Sequence, residues 1–348
     1  MSFNDTFIRA CLKQEIEHVP VWYMRQAGRY QAEYREIRKK YTLLEICRIP
    51  ELCAEVTILP VQQLGVDAAI LFSDIMVPLG PMGVKYDIIE KKGPILETPY
   101  RTADDIASLR TITPEEDLSY VLDTIKILAR ELKVPLIGFT GAPFTLASYM
   151  VEGGPSRNYI RTKQMMYGQP ELWNQLMEKL GTMIVTYLKA QISAGAKAVQ
   201  VFDSWAGALA PGDYKQYVYP TMKKIFQELK EVAVPKIYFG GVSSGELLPL
   251  WHDLDADVIG IDWRVSIREG RKRIGNSHAI QGNLDPTMLL APWSKIESKT
   301  KEIIDQGIEE PGFVFNLGHG IFPEVPGDIL KRLTDFVHDY SRSVLIKR

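Results

Sequence analysis

Short apolar runs rich in β-branched residues recur along the chain, and most end in Gly, Asp, Ser or Asn. They are Val19–Met24, Ala68–Phe72, Val134–Thr140, Ala196–Phe202, Val234–Phe239, Asp257–Ile261, His278–Gln281 and Gly312–Asn316. Continuous apolar runs bounded by turn residues are the pattern of strands buried on both faces. Between most of them, apolar residues fall three and four apart, the helical spacing, most clearly over Leu172–Ile192. Thr113-Pro114-Glu115-Glu116 supplies a helix start with an N-cap Thr and Pro at the first helical position, and Asp285-Pro286 repeats that signal. An amphipathic helix over Pro326–Tyr340 closes the chain.

Eight strand-like runs alternating with helices are the number of βα units that closes a parallel barrel. An open doubly wound sheet shares the alternation, but no G-x-G-x-x-G follows an early strand. The expected fold is α/β, a single (β/α)8 TIM barrel spanning residues 1–348. Val84–Pro99 is inserted after the second strand as a hairpin turning near Lys92-Gly93. No low-complexity tract or linker rich in Pro, Gly and Ser divides the chain.

Composition sharpens this picture in three ways. A length of 348 residues suggests about two domains on size alone, yet one barrel with an insertion reaches the same size. At 46% hydrophobic and 24% charged the chain can bury a large core, which excludes disorder. The 41 Lys+Arg against 43 Asp+Glu exclude a global field for nucleic acid but leave room for a local basic pocket. Cys11, Cys47 and Cys53 form no disulfide framework, which points to a reducing cytoplasm. The N-terminal charges are scattered, unlike a signal peptide, and no run approaches the ~18 apolar residues of a membrane span.

Active sites of parallel barrels lie at the carboxyl ends of the strands, so the residues closing each run are the candidates. Arg25, Arg29, Arg35 and Arg38 follow the first run densely. If helical, Arg25 and Arg29 share a face, as do Tyr34 and Arg38. Several arginines suit an anionic ligand with more than one acidic group; the alternative is a solvated basic helix face. Gly28, within RQAGR just after a buried strand, favours a binding loop. Asp74 closes the second run, where a carboxylate needs a partner: it either caps the next helix or accepts N–H groups and stabilises positive charge on a ligand. Tyr149 and Ser204 are either structural hydroxyls or ligand contacts. His319, between Gly318 and Gly320 at the last strand's end, is the best placed of the histidines, as ligand contact or structural group. His18, His252, His278 and His338 look structural. No His, Cys or carboxylate cluster has metal-ligand spacing, and neither a P-loop nor a G-x-S-x-G elbow is present.

PVWYMRQAGRYQAEYREIRKKY resembles the N-terminal signature of the uroporphyrinogen decarboxylase family. The similarity continues through LFSDIMVP, GFTGAPFTLASYMVEGG, VFDSWAG, QGNLDP and FNLGHGI, in order over essentially the whole chain. The resemblance implies a (β/α)8 barrel, a cytoplasmic homodimer, and removal of the four acetate carboxyls of uroporphyrinogen III to give coproporphyrinogen III in haem biosynthesis, with no cofactor and no metal. It implies that Arg25, Arg29 and Arg38 hold substrate carboxylates, with Gln26, Ala27 and Gly28 in the same loop. It sets Asp74 among the central pyrrole N–H groups. The chemistry of decarboxylation then makes Asp74 the expected catalytic carboxylate, stabilising a protonated pyrrole, and Arg25 the expected second catalytic group, assisting proton transfer at the reacting arm. Phe202 lies against the macrocycle, with Tyr149, Ser204 and His319 at its periphery. One departure is visible: the family usually has Pro where this chain has Ala32, a change expected to loosen the loop. Two other readings share the fold or the ligand. Corrinoid-related methyltransferases of the same superfamily use zinc held by His and Cys to activate a thiol. A non-catalytic tetrapyrrole-binding protein would keep the arginines and tolerate loss of Asp74.

Overall fold

The computed structural model describes residues 3–90 and 92–347. Each of the eight runs lies on the barrel wall. Seven are strands of one parallel sheet: β1 (Ala69–Ile70), β4 (Leu136–Gly141), β5 (Ala198–Phe202), β6 (Lys236–Phe239), β7 (Val258–Gly260), β8 (Ala279–Leu284) and β9 (Phe313–Leu317), paired in that order. The hairpin β2 (Tyr86–Ile89) and β3 (Gly93–Leu96) is antiparallel and stands apart from the sheet, as the insertion at Val84–Pro99 requires.

The first run closes the barrel without forming a regular strand. Val21 makes one parallel bridge to Phe315 of β9, with Phe315 N donating to Pro20 O at 2.9 Å. On its other side Asp67 N donates to Val21 O at 2.8 Å, two residues before β1. The fold is therefore a TIM barrel whose eighth wall element is held by a few bonds.

Alternation along the strands sends one set of side chains inward. Trp22, Met24, Ile137, Ile237, Phe239 and Val314 belong to this interior cluster, and Phe7, Ala10 and Cys11 of the helix Thr6–Cys11 join it. The opposite faces pack on the outer helices, the longest being Pro170–Ala194, which extends the predicted Leu172–Ile192 by two residues at each end. Inside the barrel, Trp22 Nε1 donates to Gln281 Oε1 at 2.8 Å and Gln281 Nε2 to Gln200 Oε1 at 3.2 Å.

Two local expectations change. Thr113 does precede a helix, but its side chain makes no cap; the helix Pro114–Asp117 is one turn, and Asp117 Oδ2 accepts Thr113 N at 2.7 Å instead. Arg25 and Arg29 do not share a helix face, because helix begins only at Ala32 and runs Ala32–Arg38. Ala32 itself leaves the loop's backbone as a proline would. Gln31 before it is extended (φ −83°, ψ 130°), and Gly28 N donates to Gln31 Oε1 at 3.0 Å while Gln31 N donates to Gly28 O at 3.0 Å.

At the amino end of the barrel, Asp67 ties distant segments together. Its carboxylate accepts from Val21 N (2.8 Å), Asn4 Nδ2 (3.0 Å), His18 Nε2 (3.0 Å) and His338 Nε2 (2.7 Å). His18, Asp67 and His338 thus form a cluster with metal-capable atoms within 4.8 Å, which sequence spacing did not show because the residues lie 49 and 271 positions apart. Both carboxylate oxygens are already taken by N–H donors, so the cluster serves as a structural tie. Burial pushes the Asp67 pKa up, but hydrogen bonds from His18 and His338, and their charge, outweigh burial and hold it below the ordinary aspartate value.

A carboxyl depressed in the folded state stabilises the fold above its unfolded pKa, about 3.9, and that contribution disappears as pH falls through the folded value. Asp67→Ala is expected to cost about 3 kcal/mol, since it removes the acceptor of the buried Val21 N–H and of three part-buried donors. Denaturant unfolding at pH 7 checks the cost. Repeating it toward pH 3 should narrow the gap between wild type and variant; a constant gap would contradict this account.

Candidate functional site

The carboxyl ends of the strands carry an aromatic floor. Phe139 and Phe202 meet edge to face at 5.5 Å between ring centroids, Phe202 and Phe239 at 6.1 Å, and Phe239 and His319 at 6.2 Å. Register produces this row, because Phe202 pairs with Phe239 across β5 and β6 and both project inward. Tyr149, on the buried helix Pro143–Glu152, stands beside Trp205 at 6.1 Å.

Arg25 sits where the closing segment leaves the barrel. Its φ is +58°, a conformation that L residues seldom adopt. Gly320 makes room for it: a Cβ there would lie 2.4 Å from Arg25 Cδ. Gly318, two residues earlier, passes equally close to Asp262 and Trp263, where a Cβ would lie 2.8 Å from Trp263 N. The two glycines let the loop carrying His319 pass between the ends of β7 and of the first run. Among the described residues the Arg25 guanidinium has no hydrogen bond and no ion pair.

The other arginines of the cluster are occupied. Arg29 pairs with Glu90 of the hairpin at 3.0 Å, an exposed contact. Arg35 donates to the carbonyls of Arg29 and Tyr30, both at 2.9 Å, and so shapes the loop from within. Arg38 donates to Tyr41 O at 3.2 Å and to the Tyr34 hydroxyl at 3.4 Å, one helical turn back as the spacing predicted. Gln26 is fully buried: its Oε1 accepts Tyr23 N and its Nε2 donates to Ala68 O at 3.1 Å, fastening the loop to the β1 side. Ala27 packs against the cluster of Tyr34, Cys47, Cys53 and Phe72.

Asp74 takes the first of the two roles its position allowed, capping the turn that follows it. Its Oδ1 accepts Met76 N at 2.9 Å, starting the turn into the short helix Val77–Leu79, and its carboxylate makes no other hydrogen bond among the described residues. Burial raises its pKa, while the Met76 N–H and the Arg25 charge pull the other way. Tyr149 is pushed up to about 12 by burial and, next, by the Asp74 charge. His319 is lowered to about 4 by burial and, next, by the Arg25 cation, so its imidazole is neutral at pH 7. The Arg25 charge thus acts on Asp74, Tyr149 and His319, and His319 in turn adjoins Phe239 of the phenylalanine row. Ser204 follows Asp203 at the end of β5, where the turn at Gly241 approaches its backbone closely.

Sequence reasoning passed over Asp203, beside Ser204. This fully buried carboxyl accepts from Thr145 Oγ1 at 2.8 Å and from the Tyr238 hydroxyl at 3.0 Å, linking the strand to the helix that carries Tyr149. Burial raises its pKa to about 6, against those two bonds. The available signal was its place inside VFDSWAG, where it directly follows the inward Phe202 and faces the other way.

All three thiols are buried. Cys11 belongs to the interior cluster, Cys47 and Cys53 lie behind Phe72, and burial pushes all three pKa values up, Cys53 to about 12.

The model of the uroporphyrinogen decarboxylase (URO-D) family matches residues 2–340. The uroporphyrinogen decarboxylase of Halalkalibacterium halodurans is 58% identical over 340 residues, covering 98% of each chain. That of Bacillus subtilis is 57% identical over 343 residues, covering 98% of this chain and 97% of the relative. Among solved structures, a methyltransferase from Methanosarcina mazei superposes with a TM-score of 0.80 at 21% identity, covering 98% of this chain and 99% of its own. A B12-independent methionine synthase from Shewanella sp. W3-18-1 gives 0.60 at 10% identity, covering 89% of this chain and 92% of its own. These two show the shared barrel fold alone.

Histidine-selective NMR titration should find one imidazole, assignable to His319 by its absence in His319→Gln, with a midpoint near 4. Arg25→Ala should move that midpoint up, since a cation next to the ring is removed. A wild-type midpoint near 6.5 would mean that the ring is neither buried nor beside Arg25.

Proposed function

Because this chain belongs to the uroporphyrinogen decarboxylase family, we propose that it removes the four acetate carboxyls of uroporphyrinogen III as CO2, giving coproporphyrinogen III. The observation that carries the reading is the exposed Arg25 guanidinium, without hydrogen bond or ion pair among the described residues, whose charge acts on Asp74, Tyr149 and His319 alike. An apolar floor between opposite charges suits a flat tetrapyrrole with carboxylates at its rim and N–H groups at its centre.

Cleaving an acetate arm sends the electrons of its C–C bond into the pyrrole, which needs a place for them. Protonation of the pyrrole α-carbon creates a cation that accepts the pair as CO2 departs. The methylene left behind takes up a proton, and loss of the α-proton restores the ring, so each CO2 released consumes one proton. The pyrrole is the electron sink, and the reading assigns no cofactor and no metal. Asp74, ionised, accepts pyrrole N–H groups and stabilises the cation, an electrostatic contribution set before the reaction begins. Arg25 lies beside the reacting arm and assists there, while Arg29 and Arg38 hold carboxylates that do not react and so orient the ring. For Arg29 a substrate carboxylate replaces Glu90, an exchange between like groups at an exposed position. Gln26, Ala27 and Gly28 give the loop its shape. Phe202 supports the macrocycle, and Tyr149, Ser204 and neutral His319 contact its edge.

Zinc-thiolate chemistry of the kind used by related methyltransferases finds no ligands here, because no cysteine stands near His319. A purely tetrapyrrole-binding protein would tolerate loss of Asp74, so the effect of substituting that residue separates the two readings. The protein acts in the cytoplasm as a homodimer, the whole chain forming one functional unit that binds no nucleic acid; no described helix is long and apolar enough to cross a membrane.

Incubation with freshly reduced uroporphyrin under nitrogen, with a strong chelator present, should yield heptacarboxyl through tetracarboxyl porphyrins after oxidation and chromatography. Unchanged starting material overturns the reading, and activity lost only with chelator points to the zinc enzymes. Asp74→Asn should lower kcat by roughly 10²–10³, whereas near-normal turnover would remove Asp74 from the chemistry. Arg25→Lys, which keeps the charge but loses the planar fork, should also fall well below wild type.

A further inference from the structure

Asn316 lies near the end of β9, two residues after Val314, and alternation turns both side chains into the barrel. It is fully buried. Its Oδ1 accepts Met24 N at 3.1 Å and Leu317 N at 2.7 Å, while its Nδ2 is enclosed without any partner. On the far side of the same residue, Met24 O accepts Ile321 N at 3.0 Å. The residue before Arg25 is thus gripped at both its N–H and its C=O by the segment that ends β9 and carries His319.

Three features at this point work against simple stability. Arg25 adopts a backbone conformation that glycine would take without strain. Gly320 gives up a side chain so that the Arg25 stem can pass. Asn316 leaves two amide hydrogens unsatisfied in the interior, which an aliphatic side chain would avoid. Such strain persists where surrounding contacts over-determine it, and what they determine here is the direction of one free guanidinium.

We propose that Asn316 is the positioning residue for Arg25: its Oδ1, bonded to Met24 N, holds the chain in the turn that directs the Arg25 side chain past Gly320 toward His319. This rests on the function proposed above only for the activity used as one of its readouts. Asn316 acts through Arg25, so its effects depend on Arg25 being present.

The test is a double-mutant cycle of Asn316→Leu, close in size but without donor or acceptor, with Arg25→Ala. Asn316→Leu should fold, as judged by circular dichroism and thermal melting, and lose about 100-fold in kcat/KM, the scale of a misplaced binding group. In the Arg25→Ala background the same change should cost less than about 3-fold, because the two residues act as one unit. Equal losses in both backgrounds, or near-normal activity of Asn316→Leu, overturn the proposal. If Asn316→Leu does not fold, Asn316→Ser is carried through the same cycle. A ligand-free readout keeps the outcome separate from the function: the His319 titration midpoint should rise in Asn316→Leu as it does in Arg25→Ala, and should not rise further in the double variant. An unmoved midpoint rejects the positioning role. A wild type that leaves uroporphyrinogen unchanged rejects the proposed function instead, and the titration still decides the role of Asn316.

Discussion

Closure of the barrel through the segment Val19–Met24 is the constraint on which the rest depends. A parallel barrel of seven regular strands has two open edges, one at β9 and one at β1. This segment joins them with a single bridge to Phe315 and a backbone bond from Asp67. So few ladder bonds are reinforced from the amino end, where Asp67 gathers N–H donors from the closing segment, the N-terminal arm and the C-terminal helix Gly327–Leu345. The same segment delivers Arg25 at its other end. Structural closure and the placing of the Arg25 cation are therefore consequences of one short stretch.

The two rims differ in how their charges are treated. At the amino end a carboxylate is saturated by four N–H donors, which suits a permanent tie. At the carboxyl end a guanidinium and a carboxylate are left largely unsaturated above a row of phenylalanines, which suits a ligand that brings its own acidic and N–H groups. The Arg25 charge reaches Asp74, Tyr149 and His319 alike, opposing the rise at Asp74 and reinforcing the fall at His319. Placing that charge on a strained, gripped turn keeps it where those three groups meet.

The barrel was legible in the chain because strands buried on both faces leave uninterrupted apolar runs, and each of the eight marks a wall element. Helix detail was less legible. Thr113 satisfied the local rule for a cap, yet Asp117 competed for the same turn and bonded the Thr113 N–H instead. The arginine cluster was visible as composition but not as geometry. Arg25, Arg29, Arg35 and Arg38 look alike in sequence, and only contacts separate the free one from one paired to a distant hairpin and two bonded within their own loop. Gln26 sits inside the most recognisable motif of the chain, and its side chain proves to be a fastener between loop and wall.

By itself the sequence determined the eightfold alternation, the hairpin insertion, the family resemblance and the residues that end each strand, because all of these are local or arrive in order along the chain. Tertiary structure decided which polar groups meet. His18 and His338 converge on Asp67 from 49 and 271 positions away, Asn316 grips the residue before Arg25 across 292, and Asp203 is buried by neighbours from other strands and helices. The physical reason is range. Hydrophobic periodicity is set by nearest neighbours along the chain, whereas the saturation of a carboxylate or the freedom of a guanidinium depends on every group the closed barrel brings within hydrogen-bond distance.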